Sequence, residues 1–409
     1  MLEGKITKRL VYHLGGYDPV SPQCTHRRFA RELQRFETTW SVAATASEAV
    51  VEDDLTSWRV MTSGPNWGVE TDFRLLRWDD VIAAEARRPM WSRLPCALRA
   101  FLDFTVSGTL WGYLRSNWRY AGFFLYPFVI LSLFVAFAWG VEALAAKAAG
   151  SLLVGIGVGI AAFLLLMRWP ARWLFLPLLF DDWIFSREYI RRHNAVLDAR
   201  LERVARGLVA SAKEQQADEI LIIGHSLGAV LAVDLLDQAL RIDPDLGKSC
   251  PPIAFASVGS SLLKIGLHRK AKRFREAVKR VASATQIFWV EYQALTDVMN
   301  FYKTNPVAEM GLDVAGRPIV RIERIRRMVH APRYRRMRRN FFKVHCQFVS
   351  GNDQRAAYDY FMLLCGPLSV ERQVRYADGA MSAIGSDGGL PEMAADVSPI
   401  ATLAMEKSF

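Results

Sequence analysis

The chain has 409 residues, of which 51% are hydrophobic and 23% charged, and its net charge is +11. Such a length suits one large domain with insertions, and the composition excludes a disordered or collagen-like chain. Cys24, Cys96, Cys250, Cys346 and Cys365 are scattered without metal-type spacing or a disulfide framework, which excludes a disulfide-stapled secreted module and favours a reducing compartment.

In chain order, MLEGKITKRLVYHLGGYDP has too few apolar residues before its Gly-Gly for a signal peptide, and KRLVYHL reads instead as a strand ending at Gly15-Gly16. The hydrophobic excess sits further on. Residues 121–141 and 148–167 are two runs without a charge, each long enough to cross about 30 Å of hydrocarbon as a helix. Between them lies a link holding Glu142 and Lys147. We expect a transmembrane hairpin. Gly155 and Gly159 would let its helices approach closely, and Trp118, Trp139, Trp169 and Trp173 fall near the boundaries where indole rings settle. Arg115 and Arg119 precede the first span, and Arg168 and Arg172 follow the second. The positive-inside bias therefore puts both outer ends in the cytoplasm, giving a multi-pass protein of the inner membrane with a cytoplasmic main domain. The next stretch, RWPARWLFLPLLF, is broken by Pro170 and Pro177 and reads as interfacial.

Residues 219–236, EILIIGHSLGAVLAVDLL, turn from a buried strand straight into a small-residue helix at Gly224-His225-Ser226-Leu227-Gly228. Beyond it, PIAFASVGSSLL contains the next strand, 267–281 a basic helix, and TQIFWVEYQALTDVMNF a strand running into a loop. Residues 321–339 hold nine arginines, a surface suited to anionic lipid headgroups. They carry no recognisable nucleic-acid module. NFFKVHCQFVSGND, with His345, precedes a last helix pattern, RAAYDYFMLLCG. From residue 376 to 409 the chain is small and polar and reads as a disordered tail. Phosphate-loop and dinucleotide patterns are absent: VGIGVGIAA lies inside the second apolar run. No metal or cofactor is expected.

A serine between glycines at a strand-to-helix corner resembles the nucleophile elbow of the α/β-hydrolase superfamily, in its lipase/esterase-like branch. The resemblance covers residues 8–20 and 217–365. It implies a mostly parallel sheet with helices on both faces, interrupted here by the hairpin. The expected parts are 1–115 and 181–375 for the hydrolase domain, 116–180 for hairpin and interfacial segment, and 376–409 for the tail. It further implies a triad in the order Ser, acid, His. Ser226 is the nucleophile. Asp297, placed soon after a strand, is the acid, with Glu291 and Asp313 as alternatives. His345 is the base in preference to His330, whose many arginine neighbours would disfavour an imidazolium. The oxyanion donors implied are the N–H of Leu227 and one from the HLGG loop, where Leu14 separates His13 from the glycines and leaves Gly16 and Tyr17 both open. His225 is expected to pack rather than react. The expected activity is hydrolysis of esters or thioesters, with a lipid-like acyl substrate suggested by the tether. Two other readings stand beside it: a non-catalytic hydrolase-like membrane scaffold, and an acyltransferase using the same triad.

Overall fold

A computed structural model describes residues 5–191, 194–248, 251–376, 378–382 and 384–391. The chain divides into two compact units. One is built from Met1–Asp80, Ala195–Gly266 and Ala271–Phe409, the other from Val81–Asn194 and Leu267–Lys270.

The larger unit is mixed α/β around a nine-stranded sheet. Its strands are β1 (Lys8–Leu14), β2 (Ala43–Ala46), β3 (Val50–Val51), β4 (Leu55–Gly64), β5 (Trp67–Leu76), β6 (Glu219–His225), β7 (Ile253–Val258), β8 (Ile287–Ala294) and β9 (Ile319–Glu323). Their order is β2-β4-β5-β1-β6-β7-β8-β9, with β3 beside β4. From β5 through β1 to β9 every pairing is parallel, and the β2, β3 and β4 pairings are antiparallel. Parallel strands covered on both faces read as unbroken apolar runs, whereas a half-covered strand alternates. Both patterns occur. All seven residues of EILIIGH in β6 are buried, while β4 alternates buried and exposed. On one face Val11, Phe73, Leu221, Ile223, Ala256 and Val290 pack with Phe29, Leu33 and Phe36 of the helix Pro22–Trp40. Elsewhere the helix Gly228–Ile242 packs on β6 and on the helices Ala195–Lys213 and Lys272–Ser283.

One buried ion pair ties the C-terminal segment to the sheet. Arg9 Nε donates to Glu219 Oε2 at 2.8 Å, and its other nitrogens donate to the carbonyls of Leu364, Gly366 and Leu368. Glu219 Oε1 in turn accepts the Val370 N–H. Every charge there has partners, the condition under which a buried pair is tolerated.

The smaller unit is helical and contains two helices long and apolar enough to cross a membrane, Trp118–Ala149 and Leu152–Trp173, with mean hydropathy 2.2 and 2.1 over their most apolar windows. They pack side by side through glycine. A Cβ on Gly155 would lie 2.6 Å from Ala146 Cβ, and one on Gly159 would lie 2.8 Å from Glu142 Cβ. Any side chain there would force the helices apart.

Four boundaries differ from the sequence expectation. The link at 142–150 is not a loop: helix continues to Ala149 and turns only at Gly150 (φ +61°) and Ser151, whose hydroxyl caps the next helix. EALAAKAA is a strong helix-forming string, and a charge pair does not interrupt it. The segment 169–180 is not wholly surface: Trp169 and Trp173 are exposed, but Leu176, Leu179 and Phe180 open a buried helix, Leu176–Arg191, that packs on Met90–Val106. The helical unit begins at Val81 rather than residue 116. Lastly, part of the predicted tail is ordered. Trp67 Nε1 donates to the Gly388 carbonyl at 2.8 Å, and Asn66 exchanges two hydrogen bonds with Leu390. Residues 392–409 lie outside the described residues.

Candidate functional site

In an open parallel sheet, the crevice for a ligand lies at the C-terminal strand ends where neighbouring connections depart in opposite directions. Here that point falls between β1, whose chain continues toward β5, and β6, whose chain continues toward β7. Both strands end there in the glycine-rich turns singled out above, Gly15-Gly16 and Gly224-His225-Ser226-Leu227-Gly228.

The elbow glycines answer to close approach. A Cβ on Gly224 would lie 2.5 Å from Ala229 Cα, and one on Gly228 would lie 1.9 Å from the Leu14 carbonyl oxygen. Between them Ser226 holds φ +56°, left-handed backbone that a residue with a side chain adopts at a cost. The corner is pinned by the Ser226 N–H to the Val258 carbonyl at 3.2 Å and by the Ser261 N–H to the Ser226 carbonyl at 3.1 Å. Leu227 sits where the helix begins, so its N–H has no acceptor within the helix. Gly16 lies against the serine: a Cβ there would be 2.9 Å from Ser226 Cβ. Tyr17 is buried edge-on against Trp78, with ring centroids 5.8 Å apart.

Asp297 and His345 are brought together. His345 Nδ1 and Asp297 Oδ2 are 2.7 Å apart, both side chains are buried, and the other carboxylate oxygen accepts the Met299 N–H at 2.9 Å. That fixes which ring nitrogen carries the proton: Nδ1 donates to the carboxylate, leaving Nε2 as the lone-pair nitrogen. Nε2 is buried without a hydrogen-bond partner. The ring lies tilted beside that of His225, at 4.5 Å between centroids, and a Cβ on Gly259 would be 3.2 Å from its Cε1. Ser226 Oγ is not hydrogen-bonded to His345; its neighbour is Ser261 Oγ at 3.5 Å.

The alternatives fall elsewhere. Glu291 lies on β8 and accepts hydrogen bonds from Ser257 Oγ and, at 2.6 Å, from Ser260 Oγ. Burial pushes its carboxyl up to about 7. Asp313 is exposed. His330 is exposed and meets Gln354 at 2.9 Å. His225 is buried, contacts the His345 carbonyl at 3.3 Å, and is held neutral by burial, which pulls its pKa well down. His13 packs on Phe73 and pairs with the Tyr360 hydroxyl at 3.1 Å; burial lowers its pKa to about 3. Sequence reasoning missed Ser261 and Gly259. Their signal was VGSS at the end of β7, since the strand next to the elbow strand must deliver its C-terminal turn beside the serine. Among the described residues no group of three or more His, Cys, Asp or Glu side chains could hold a metal ion. No protein-family model, curated protein or solved structure matches the chain.

Proposed function

We propose that the protein is a membrane-anchored serine hydrolase of the α/β-hydrolase type that cleaves ester or thioester bonds. The observation that carries this reading is the buried His345–Asp297 pair, its free Nε2 beside a strained serine corner. Ser226 Oγ attacks the acyl carbon while Nε2 takes its proton, and Asp297 steadies the imidazolium that forms. The oxyanion is met by the Leu227 N–H and by one from Gly16 or Tyr17. The imidazolium then returns its proton to the departing alcohol or thiol. Water, deprotonated by the same nitrogen, releases the acid and frees the serine. This route requires Ser226 to turn from Ser261 toward Nε2, a change of side-chain rotamer. The test is hydrolysis of a p-nitrophenyl ester by the full chain in detergent. Ser226→Ala and Asp297→Asn should each lower kcat by about 10⁴-fold. Equal rates in wild type and Ser226→Ala would remove the catalytic reading.

The anchor is the helical hairpin. Only 17% of the second helix's most apolar window is buried, against the mostly buried state of a soluble core helix. With Arg115, Arg119, Arg168 and Arg172 at the outer ends, the serine belongs on the cytoplasmic side of the inner membrane, and exposed arginines such as Arg335, Arg336 and Arg339 suit anionic headgroups. A cysteine at Ala148 should then react with an impermeant thiol reagent in intact cells, while the exposed native Cys24 reacts only after lysis. The reverse result would invert the orientation.

A further inference from the structure

The helix Met90–Val106 leaves an apolar stripe outside while burying a charged residue inside. At helical spacing Trp91, Leu98, Leu102 and Val106 form one stripe, and they are 80%, 42%, 58% and 81% exposed. The opposite face buries Ala97, Ala100 and Phe104, and Arg93 with them. Arg93 is buried, with its Nε 2.7 Å from Asp181 Oδ1, and Asp103 pairs with Arg187 at 3.1 Å and with Arg191. Of the three charged residues in this helix only Arg99 is exposed. Further along the chain Trp111 of the helix Thr109–Ser116 and Trp118 are also 72% and 69% exposed.

A helix in water buries its apolar stripe and solvates its charges, because each large side chain left out forfeits its transfer free energy. Single exposed apolar residues are ordinary; a continuous stripe is not. Two further observations say what covers it. The helix is joined to the first long apolar helix by Phe101, whose ring centroid is 4.3 Å from that of Phe128 and 5.6 Å from that of Phe124. Those rings lie about 9–15 Å along the span axis from Trp118, within the acyl layer when Trp118 marks its boundary. Moreover, Arg99 and Arg115 stand exposed beside the stripe, where a cationic side chain meets lipid phosphate.

We infer that Met90–Val106 and the short helix after it form a lipid-facing platform beside the first span, in the leaflet that this span enters, with Trp91, Leu102, Val106 and Trp111 among the acyl chains. This rests on the hairpin being membrane-spanning. It goes beyond it by making a third stretch of the chain, outside both apolar runs, part of the membrane surface. A lipid-facing platform beside a hairpin constrains its tilt, which two spans alone leave free.

The experiment is photo-crosslinking of the full chain in phosphatidylcholine–phosphatidylglycerol vesicles. Benzoylphenylalanine replaces Leu102, Val106, Leu133 or Met61, all exposed positions that a bulky side chain does not disturb. Leu133, inside the first span, reports the span itself, and Met61, on β4, is the aqueous control. The expected result is an adduct carrying the mass of one phospholipid at 102, 106 and 133 and none at 61. Lipid adduct at 133 with none at 102 and 106 overturns the platform and leaves the span standing. Protein-to-protein adducts at 102 and 106 would show that a second copy covers the stripe, and also overturn it. No lipid adduct at 133 removes the spanning reading and the platform with it.

Discussion

The two units expose their large apolar side chains differently, and the difference bears on the medium proposed around each. In the α/β unit the exposed large apolar residues are few and scattered, such as Met61, Ile242 and Met381, and buried charges such as Arg9 and Glu219 are paired. In the helical unit exposed apolar residues follow one another from Trp91 to Trp173, and ion pairs such as Arg93–Asp181 sit inside. One unit has been arranged for water, with reactive groups collected where two strands end. The other exposes a long run of apolar side chains, which suits the hydrocarbon setting proposed above. A buried ion pair is therefore no mark of either medium; what stands opposite it is.

The sharpest way to break the α/β side of that contrast is Arg9→Ala, which leaves Glu219 buried without its cation. It should cost about 3–5 kcal/mol of unfolding free energy, and replacing both partners by Met and Leu should restore most of it. Denaturant titration of the detergent-solubilised chain reads this. A loss below about 1 kcal/mol would mean that water reaches the pair.

A smaller effect is expected at Gly16. The methyl of Gly16→Ala would press on Ser226 Cβ at 2.9 Å. Displacement of the serine should lower kcat by about 10²-fold while the unfolding midpoint stays near wild type. An unchanged kcat would detach the β1 turn from the chemistry.

The smallest effect concerns Glu291. Its carboxyl is raised from an ordinary 4.5 to about 7, so the folded state holds a proton that the unfolded chain releases. Stability from this group is present below about 4.5 and lost as pH rises through about 7. Glu291→Gln keeps the neutral shape and cannot ionise. The stability of wild type relative to this variant should thus fall by about 1–3 kcal/mol between pH 4.5 and pH 8. A pH-independent difference would place the charge of Glu291 elsewhere.

Much of the site could be read along the chain because its constraints are local. Gly224 and Gly228 are dictated by the approach of Ala229 and of the β1 end, and that crowding is written as two glycines around one serine. Asp297 and His345 were found through the resemblance, since nothing in a sequence measures the 2.7 Å between residues 48 positions apart. Ser261 was missed for the same reason: only the parallel register, Gly224 opposite Ser257, carries it to Ser226. In β4 the alternation of LTSWRVMTSG is legible, but its partner and edge are not, because antiparallel pairing with β5 depends on a turn at Pro65-Asn66. The platform shows a deeper limit. A stripe at helical spacing reveals that Trp91, Leu98, Leu102 and Val106 share a face, yet periodicity has no sign and does not say whether that face looks in or out. The ordered stretch up to Leu390 escaped because small polar residues bind through backbone carbonyls, as Gly388 does to Trp67.

The central claim is that Ser226 is the nucleophile, and the most direct measurement is the site of a covalent fluorophosphonate adduct on the folded full-length chain. The account predicts one adduct per chain, mapped to Ser226 within the peptide Glu219–Arg241, absent in Ser226→Ala and strongly slowed in His345→Ala. A folded wild type that forms no adduct, or a Ser226→Ala variant that forms it at the wild-type rate, would contradict it.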